Sequence, residues 1–330
     1  MAEHKGIWIF AEQENGLIEP TVFELLAKAR QLQEHNGETI TAVLLGNGVE
    51  GLSKTLFEYG ADEVLLCQSE ALETYSARPY QTALKVLCAK YRPSILLYGA
   101  TPLGRDLAPR MMVELNTGLT ADAIDLGYDE QGDFYQTTPA YGGKILAHIV
   151  IKEARPQMAT VHPGMCEPLT LTPGAGGTLT VETLHLEKDP DYEVLEVTEV
   201  HSAETPIGEA PVIVAGGRGV KSQEDLEGLR ELAGLMGGQL ACSRPLVDNG
   251  FLPHSKQIGQ SGVTLAPDVI FNIGISGSVQ YQLGMQKSKC VIAVNQSADA
   301  PIFDIAHYGV VADYRKLVPA LIAELKARKN

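Results

Sequence analysis

The chain reads as an α/β protein of two domains, each built on a mostly parallel, doubly wound sheet. Three observations carry that reading. Short apolar runs alternate with amphipathic stretches of helical length from Ile7 to Tyr98 and again from Val212 onward, the pattern of strands joined by right-handed helical crossovers. Turns containing glycine close many of those runs in the second half. Between the two alternating regions HSAETPIGEA (His201–Ala210) has no apolar periodicity and reads as a linker. That places the domains at 1–204 and 205–330, sizes at which each can bury its own core.

The elements follow in order. Ile7–Ala11 is a buried strand, and Pro20 then starts a helix over Thr21–His35 that Asn36-Gly37 stops. Thr39–Leu45 and Glu63–Cys67 are strands. Tyr80–Tyr91 is a helix with Leu84, Leu87 and Cys88 on one face, and Ser94–Tyr98 is a strand leading into GATPLGRDLAPR (Gly99–Arg110). After Asp122 the texture changes. Phe134–Thr138, Ile145–Ile151 and Gln157–Val161 are β-rich with little helix between them, so the first sheet is expected to end in antiparallel strands. Thr172–Val197 reads as a loop followed by two edge strands. In the second domain the strands are Val212–Ala215, Gln239–Ala241, Val269–Ile273, Cys290–Val294 and Gly309–Ala312, with helices over Gln223–Met236 and Leu317–Lys326.

Composition excludes several classes. An apolar fraction of 45% with 20% charged residues is that of an ordinary globular protein. No apolar stretch approaches the roughly 20 residues of a membrane span, and MAEHKGIWIF lacks a secretory signal. A cytoplasmic location without direct membrane insertion is therefore expected. Five scattered cysteines form no C-x-x-C and no metal-ligand spacing with histidine, so no metal site is expected. The net charge of −15 is carried before Pro211, where 31 acidic face 14 basic residues; beyond it ten acidic face twelve basic ones. No basic patch is present to neutralise nucleic-acid phosphates.

The chemistry concentrates after Pro211 in a series of turns. They are PVIVAGGRG (Pro211–Gly219), CSRPLVDNG (Cys242–Gly250), QIGQSG (Gln257–Gly262), NIGISGSVQY (Asn272–Tyr281), VIAVNQSADAPIF (Val291–Phe303) and VVADY (Val310–Tyr314). Turns at the carboxyl ends of parallel strands are where backbone amides meet a nucleotide's phosphates. This many within one domain indicate a large dinucleotide. GGRG is not the full dinucleotide fingerprint, and no ribose-binding acid ends the next strand. The turns supply an arginine, hydroxyls and carboxamides but no nucleophile–base pair. Many donors and few bases suit a redox cofactor that brings its own chemistry. In the first domain the turn after the first strand is EQENG, acidic where a phosphate would sit, which suggests a scaffold or partner interface.

In that order and spacing, GGRG, SR, QIGQSG, GISGSVQY, NQSADAPIF and VVAD closely resemble the α subunit of the electron-transfer flavoproteins, and the first half resembles it more loosely. The resemblance implies an FAD-binding, Rossmann-like C-terminal domain and a β subunit holding a second FAD or AMP. It also implies docking to a flavin dehydrogenase, usually of the acyl-CoA class, and a redox carrier rather than a substrate-converting enzyme. The cofactor-binding positions it implies are Arg218, Ser243, Arg244, Gln257, Ile258, Gly259, Gln260, Ser261, Gly274, Ser276, Gly277, Ser278, Val279, Gln280, Tyr281, Asn295, Asp313 and Tyr314. Within that set Arg244 resembles the arginine beside the isoalloxazine ring, and Ser261 stands where a threonine hydroxyl near N5 is usual. Gly274–Gly277 resembles the pyrophosphate turn, and Asn295 and Asp313 the ribose and adenine contacts. One departure is Tyr281, where the family often has histidine; a phenol is expected to offer the ring's C2 carbonyl a neutral donor.

Two branches stay open within the resemblance. One is a relay from dehydrogenases to a membrane quinone reductase. The other is a bifurcating complex that oxidises NADH at a second FAD, which Tyr281 and His307-Tyr308-Gly309 favour. Outside it stand an NAD-dependent transferase resembling deoxyhypusine synthase, which would need a Schiff-base lysine where the turns offer only Lys256, and an adenine-nucleotide sensor using the first domain.

Overall fold

A computed structural model describes residues 4–140, 145–197 and 206–329. The chain divides into two compact units, Met1–Val197 and Thr198–Asn330. The expected boundary at 204/205 and the first half of the expected linker over His201–Ala210 lie outside the described residues.

The first unit runs β1 (Ile7–Phe10), a small hairpin of β2 (Gln13–Glu14) and β3 (Leu17–Ile18), α1 (Pro20–Asn36), β4 (Ile40–Gly46), α2 (Leu52–Glu58) and β5 (Glu63–Gln68). It continues with α3 (Ala77–Tyr91), β6 (Ile95–Gly99), α4 (Pro102–Leu115), β7 (Leu119–Ala123), β8 (Asp125–Tyr128), β9 (Phe134–Ala140), β10 (Ile145–Val150), β11 (Gln157–Val161) and β12 (Thr178–Thr183). Seven strands form one sheet in the order β12-β5-β4-β1-β6-β11-β7, parallel throughout. Alternation along β1 sends Ile7 and Ile9 to one face, against Val22, Leu25, Leu26 and Ala29 of α1. Trp8 and Phe10 face the other way, with Leu84 and Leu87 of α3 and Leu107 and Met111 of α4. Both faces are thus covered, which is what a parallel sheet requires. Helix α1 starts at Pro20, whose missing N–H has no partner to lose there, and ends at Gly37 with φ +67°.

Two expectations for this unit are corrected. The antiparallel strands β8, β9 and β10 form a separate three-stranded sheet, whereas Gln157–Val161, read as part of that group, is an interior parallel strand between β6 and β7. Its five buried residues need cover on both faces, which an antiparallel edge would not provide. Thr172–Val197 contributes one strand rather than two; β12 pairs parallel to β5.

The second unit runs β13 (Val212–Gly216), α5 (Gln223–Leu235), β14 (Gln239–Ser243), α6 (Arg244–Asp248), β15 (Gln257–Ile258), β16 (Val269–Ile273), α7 (Val279–Leu283), β17 (Cys290–Asn295), β18 (Tyr308–Val311) and α8 (Tyr314–Lys329). Its sheet is ordered β15-β14-β13-β16-β17-β18 and is parallel throughout. Helices α5 and α8 cover one face through Leu226, Leu229, Leu232 and Val318. Tyr281 of α7, Met285, Ile302 and Leu265 cover the other. Ser222 starts α5 by accepting the Asp225 amide at 3.1 Å.

Candidate functional site

Counted from its first strand, the second sheet has the order 3-2-1-4-5-6, so the chain changes direction between β13 and β16. Side by side there, two strands send their connections to opposite faces, and a crevice opens at their carboxyl ends. All six turns singled out in the sequence lie on this edge because all six strands run the same way.

The crevice is built by backbone meeting backbone. The Gly217 amide donates to Ile273 O at 2.9 Å and the Gly219 amide to Gly274 O at 3.0 Å. A Cβ on Gly217 would stand 2.4 Å from Gly274 O, and one on Gly219 2.9 Å from its Cα. Any larger residue would force the two turns apart. Gly274 (φ +64°) and Gly277 (φ +84°) hold left-handed conformations that redirect the chain over β16. Beyond them the amides of Ser276, Gly277, Ser278, Val279 and Gln280 have no acceptor among the described residues.

A cleft of about 260 Å³ continues from this point, lined by Gly219, Lys221, Gly274, Asn295, Asp313 and Tyr314 among others. Its polar groups are braced by one another. Asn295 donates to Ile275 O at 2.8 Å and accepts from the Ser297 amide at 2.9 Å. Asp313 accepts the Arg315 amide at 3.0 Å and so caps α8. The Tyr314 hydroxyl lies 2.9 Å from Asp225 Oδ2 and 3.3 Å from Gly219 O. Burial, then the bond to Asp225, raises the Tyr314 phenol above its ordinary range. Burial alone would raise Asp225, but hydrogen bonds from Arg315, Tyr314 and Ser222 hold its carboxyl below the usual range. Tyr314 therefore stiffens the floor of the cleft, and its hydroxyl is already engaged.

On the other side of β13, Ser243 ends β14 and Arg244 starts α6. Ser243 is buried and makes no side-chain cap bond. Arg244 is exposed, with its Nε 3.3 Å from Asp248 Oδ2; an exposed pair of this spacing holds the guanidinium only weakly. Arg218 is exposed and makes no ion pair or side-chain hydrogen bond among the described residues. The Gln257–Ser261 segment leaves β15 and folds back on α7. Gln257 donates to Ser261 Oγ at 3.1 Å, His254 Nε2 lies 2.9 Å from Ser261 O, and the Gln260 amide donates to Gln280 O at 2.8 Å. Ile258 and Gly259 are buried, whereas Ser261 is exposed.

Tyr281 corrects the expectation for its side chain. Its ring packs in the core with Ile258, Ile270 and Met285, and its hydroxyl donates to Asn272 Oδ1 at 2.5 Å. Burial pushes the phenol well above its ordinary range. Position 281 lies in the first turn of α7, where an apolar face must meet the sheet, and a partner for the hydroxyl stands on β16. Asn272, Lys221, Gln296 and Arg315 were not singled out from sequence, although Lys221 follows GGRG by two residues and Asn272 opens the NIGISG run.

The first sheet changes direction in the same way, between β1 and β6. Its crevice holds Glu12 after β1 and Thr101 at the start of α4, with Thr101 Oγ1 donating to Glu12 Oε2 at 2.6 Å. Burial, with help from Glu19 and Glu14 and against the Thr101 bond, pushes the Glu12 carboxyl up to about 7. The cleft there, about 520 Å³, is also lined by Glu14, Glu19, Glu73, Tyr75 and Tyr80. Among the described residues no group of three or more His, Cys, Asp or Glu could hold a metal ion, and no helix is long and apolar enough to cross a membrane.

Residues 7–189 match the family described as the electron transfer flavoprotein domain, and residues 206–286 match the electron transfer flavoprotein FAD-binding domain. The chain belongs to the electron transfer flavoprotein α-subunit family. It is 42% identical to the electron transfer flavoprotein subunit alpha of Clostridium acetobutylicum over all of this chain and 99% of the relative. It is 43% identical to Protein FixB of Clostridium saccharobutylicum, covering 99% of this chain and 98% of that one. A third relative, the subunit LctC of a lactate dehydrogenase (NAD(+),ferredoxin) from Acetobacterium woodii, is 38% identical over 99% of this chain and 78% of its own. As an electron transfer flavoprotein α subunit the chain is an electron carrier that binds FAD in its second unit and works with a β subunit and redox partners. The crevice chemistry fits that group. A run of amides without an acceptor among the described residues, facing the turn that carries the exposed Arg218, suits a pyrophosphate, and glycines at the closest approaches leave the backbone accessible to it.

Proposed function

We propose that this chain is the FAD-bearing half of a heterodimer that takes electrons from a flavin dehydrogenase of the acyl-CoA class, or returns them to it. The β subunit carries a second nucleotide. The observation that supports this best is the amide run Ser276–Gln280 at the change of direction in the second sheet, flanked by turns that present Arg218, Ser243 and Arg244.

In this reading bound FAD supplies the redox chemistry, and the chain's residues bind, orient and shield it. The Ser276–Gln280 amides and Arg218 hold the pyrophosphate, since oriented N–H donors and a guanidinium together neutralise its charge. The cleft beside Asn295, Asp313 and Tyr314 receives the adenosine end. Ser243, Arg244, Gln260 and Ser261 would hold the isoalloxazine end, with Gln257, Ile258, Gly259, Val279 and the Tyr281 backbone forming the wall. Arg244 would there supply a fixed positive charge beside the ring.

Of the two branches, the bifurcating one is favoured by the likeness to LctC, a subunit of an enzyme whose name joins NAD(+) and ferredoxin. The test is co-expression with the β subunit. FAD content per heterodimer is measured first, followed by flavin reduction by NADH and by a reduced acyl-CoA dehydrogenase. Two FAD per heterodimer and direct bleaching by NADH support the bifurcating branch. One FAD and bleaching only by the dehydrogenase select the simple relay. A colourless heterodimer under excess FAD overturns the proposal.

A further inference from the structure

We propose that the side chains of Asn272 and Tyr281 form a positioning pair for the flavin site, setting the height of its binding loops above the sheet without themselves touching the cofactor. The inference rests on the function proposed above and adds a residue, Asn272, that no part of that reading uses.

Asn272 sits on β16, hydrogen-bonded to β13 on one side and β17 on the other, and is fully buried. A carboxamide there is costly unless both ends are satisfied. Its oxygen accepts the Tyr281 hydroxyl at 2.5 Å, and its Nδ2 donates to Ile292 O at 3.3 Å. An apolar pair of similar volume would fill the same space without that cost. What the polar pair adds is direction, because a buried hydrogen bond specifies one arrangement where apolar packing accepts several.

Tyr281 transmits that direction to the site. Its amide donates to Ser278 O at 2.9 Å, which ties it to the amide run. Gln280 O, one residue earlier, accepts the Gln260 amide at 2.8 Å. A Cβ on Gly259 would stand 3.0 Å from Gln280 O, and one on Gly284 2.5 Å from Gly259 N. Helix α7 and the Gly259–Ser261 segment therefore move as one body. The bond from Tyr281 to Asn272 fixes that body to an interior strand of the sheet, and with it the amides and the Ser261 hydroxyl.

The experiment uses the FAD-loaded heterodimer and reads three quantities: the flavin's first reduction potential, its visible circular dichroism and the thermal midpoint. The wild type is measured first; failure to take up FAD there defeats the function reading itself. Tyr281→Phe removes only the hydroxyl. The double variant Tyr281→Phe/Asn272→Leu removes the unsatisfied carboxamide as well and keeps the core apolar. The expected result is at least a threefold change in the first reduction equilibrium, about 28 mV for one electron, with altered dichroism and FAD content unchanged. The double variant regains thermal stability but not the wild-type potential, and if Tyr281→Phe does not fold the double variant decides alone. Lower thermal stability with wild-type potential and dichroism would reduce the pair to core packing and overturn the proposal.

Discussion

Both units contain a parallel sheet that changes direction beside its first strand, and both open a crevice there, yet the two crevices are chemical opposites. In the second unit glycine turns bring two backbones into contact and leave five amides without an acceptor among the described residues, across from the turn that carries Arg218. In the first unit a carboxyl group occupies the corresponding position, bonded to Thr101 and surrounded by Glu14, Glu19 and Glu73. Topology makes the opening in each case. The residues at the strand ends decide what can enter it: a phosphate is drawn to amides and guanidinium and repelled by carboxylates.

The sharpest way to break this contrast is to copy the first crevice into the second. Ser276→Glu sets a carboxylate against the proposed pyrophosphate position, where two like charges about 4 Å apart repel by about 4 kcal/mol at an intermediate dielectric. FAD affinity should fall by about a thousandfold, measured by flavin retention on dilution. Unchanged affinity would place the pyrophosphate elsewhere.

The reverse change relieves the first crevice. Glu12 has its folded pKa raised from 4.5 to about 7, so the folded state holds its proton more tightly than the unfolded chain. Its contribution to stability is therefore full below about pH 4.5 and is lost as pH rises through 7, a loss on the order of 3 kcal/mol. Glu12→Gln should remove that loss, so the stability gained over wild type grows between pH 5 and 8 in denaturant titrations. A gap independent of pH would show that Glu12 is ordinarily ionised in the folded chain. FAD binding should be unaffected.

Arg244 tests the electrostatics of the second crevice alone. A charge-assisted bond contributes about 1.5–3 kcal/mol, so Arg244→Ala should lower the flavin's first reduction potential by roughly 60–130 mV. Spectroelectrochemistry on the FAD-loaded heterodimer measures it; an unchanged potential means the guanidinium does not face the ring. The smallest effect is expected at Tyr314, whose hydroxyl braces Asp225 beneath the cleft. Tyr314→Phe should cost about 1 kcal/mol of stability and leave the potential alone, as thermal melting and the same electrochemistry would show.

Local signals carried much of this protein. The alternation of apolar runs with helical stretches marked most strands of both sheets, though not β7 or β15, because a parallel strand buried on both faces must be apolar along its length. Glycine spacing and the SR, GISG and NQSAD runs pointed to the carboxyl edge of the second sheet, the edge the proposed site uses, because a backbone that approaches a phosphate tolerates few side chains. Tertiary structure alone decided the rest. Gln157–Val161 lies inside the first sheet and not in its antiparallel appendage, since strand order depends on contacts between residues far apart in the chain. The direction of Tyr281 was equally hidden: one residue along a short helix separates a side chain facing a ligand from one facing the core, and the Asn272 that receives its hydroxyl stands nine positions away on a strand. Charge at Glu12 shows the same limit, because a carboxyl's proton affinity is set by the water excluded around it, which only the packed fold determines.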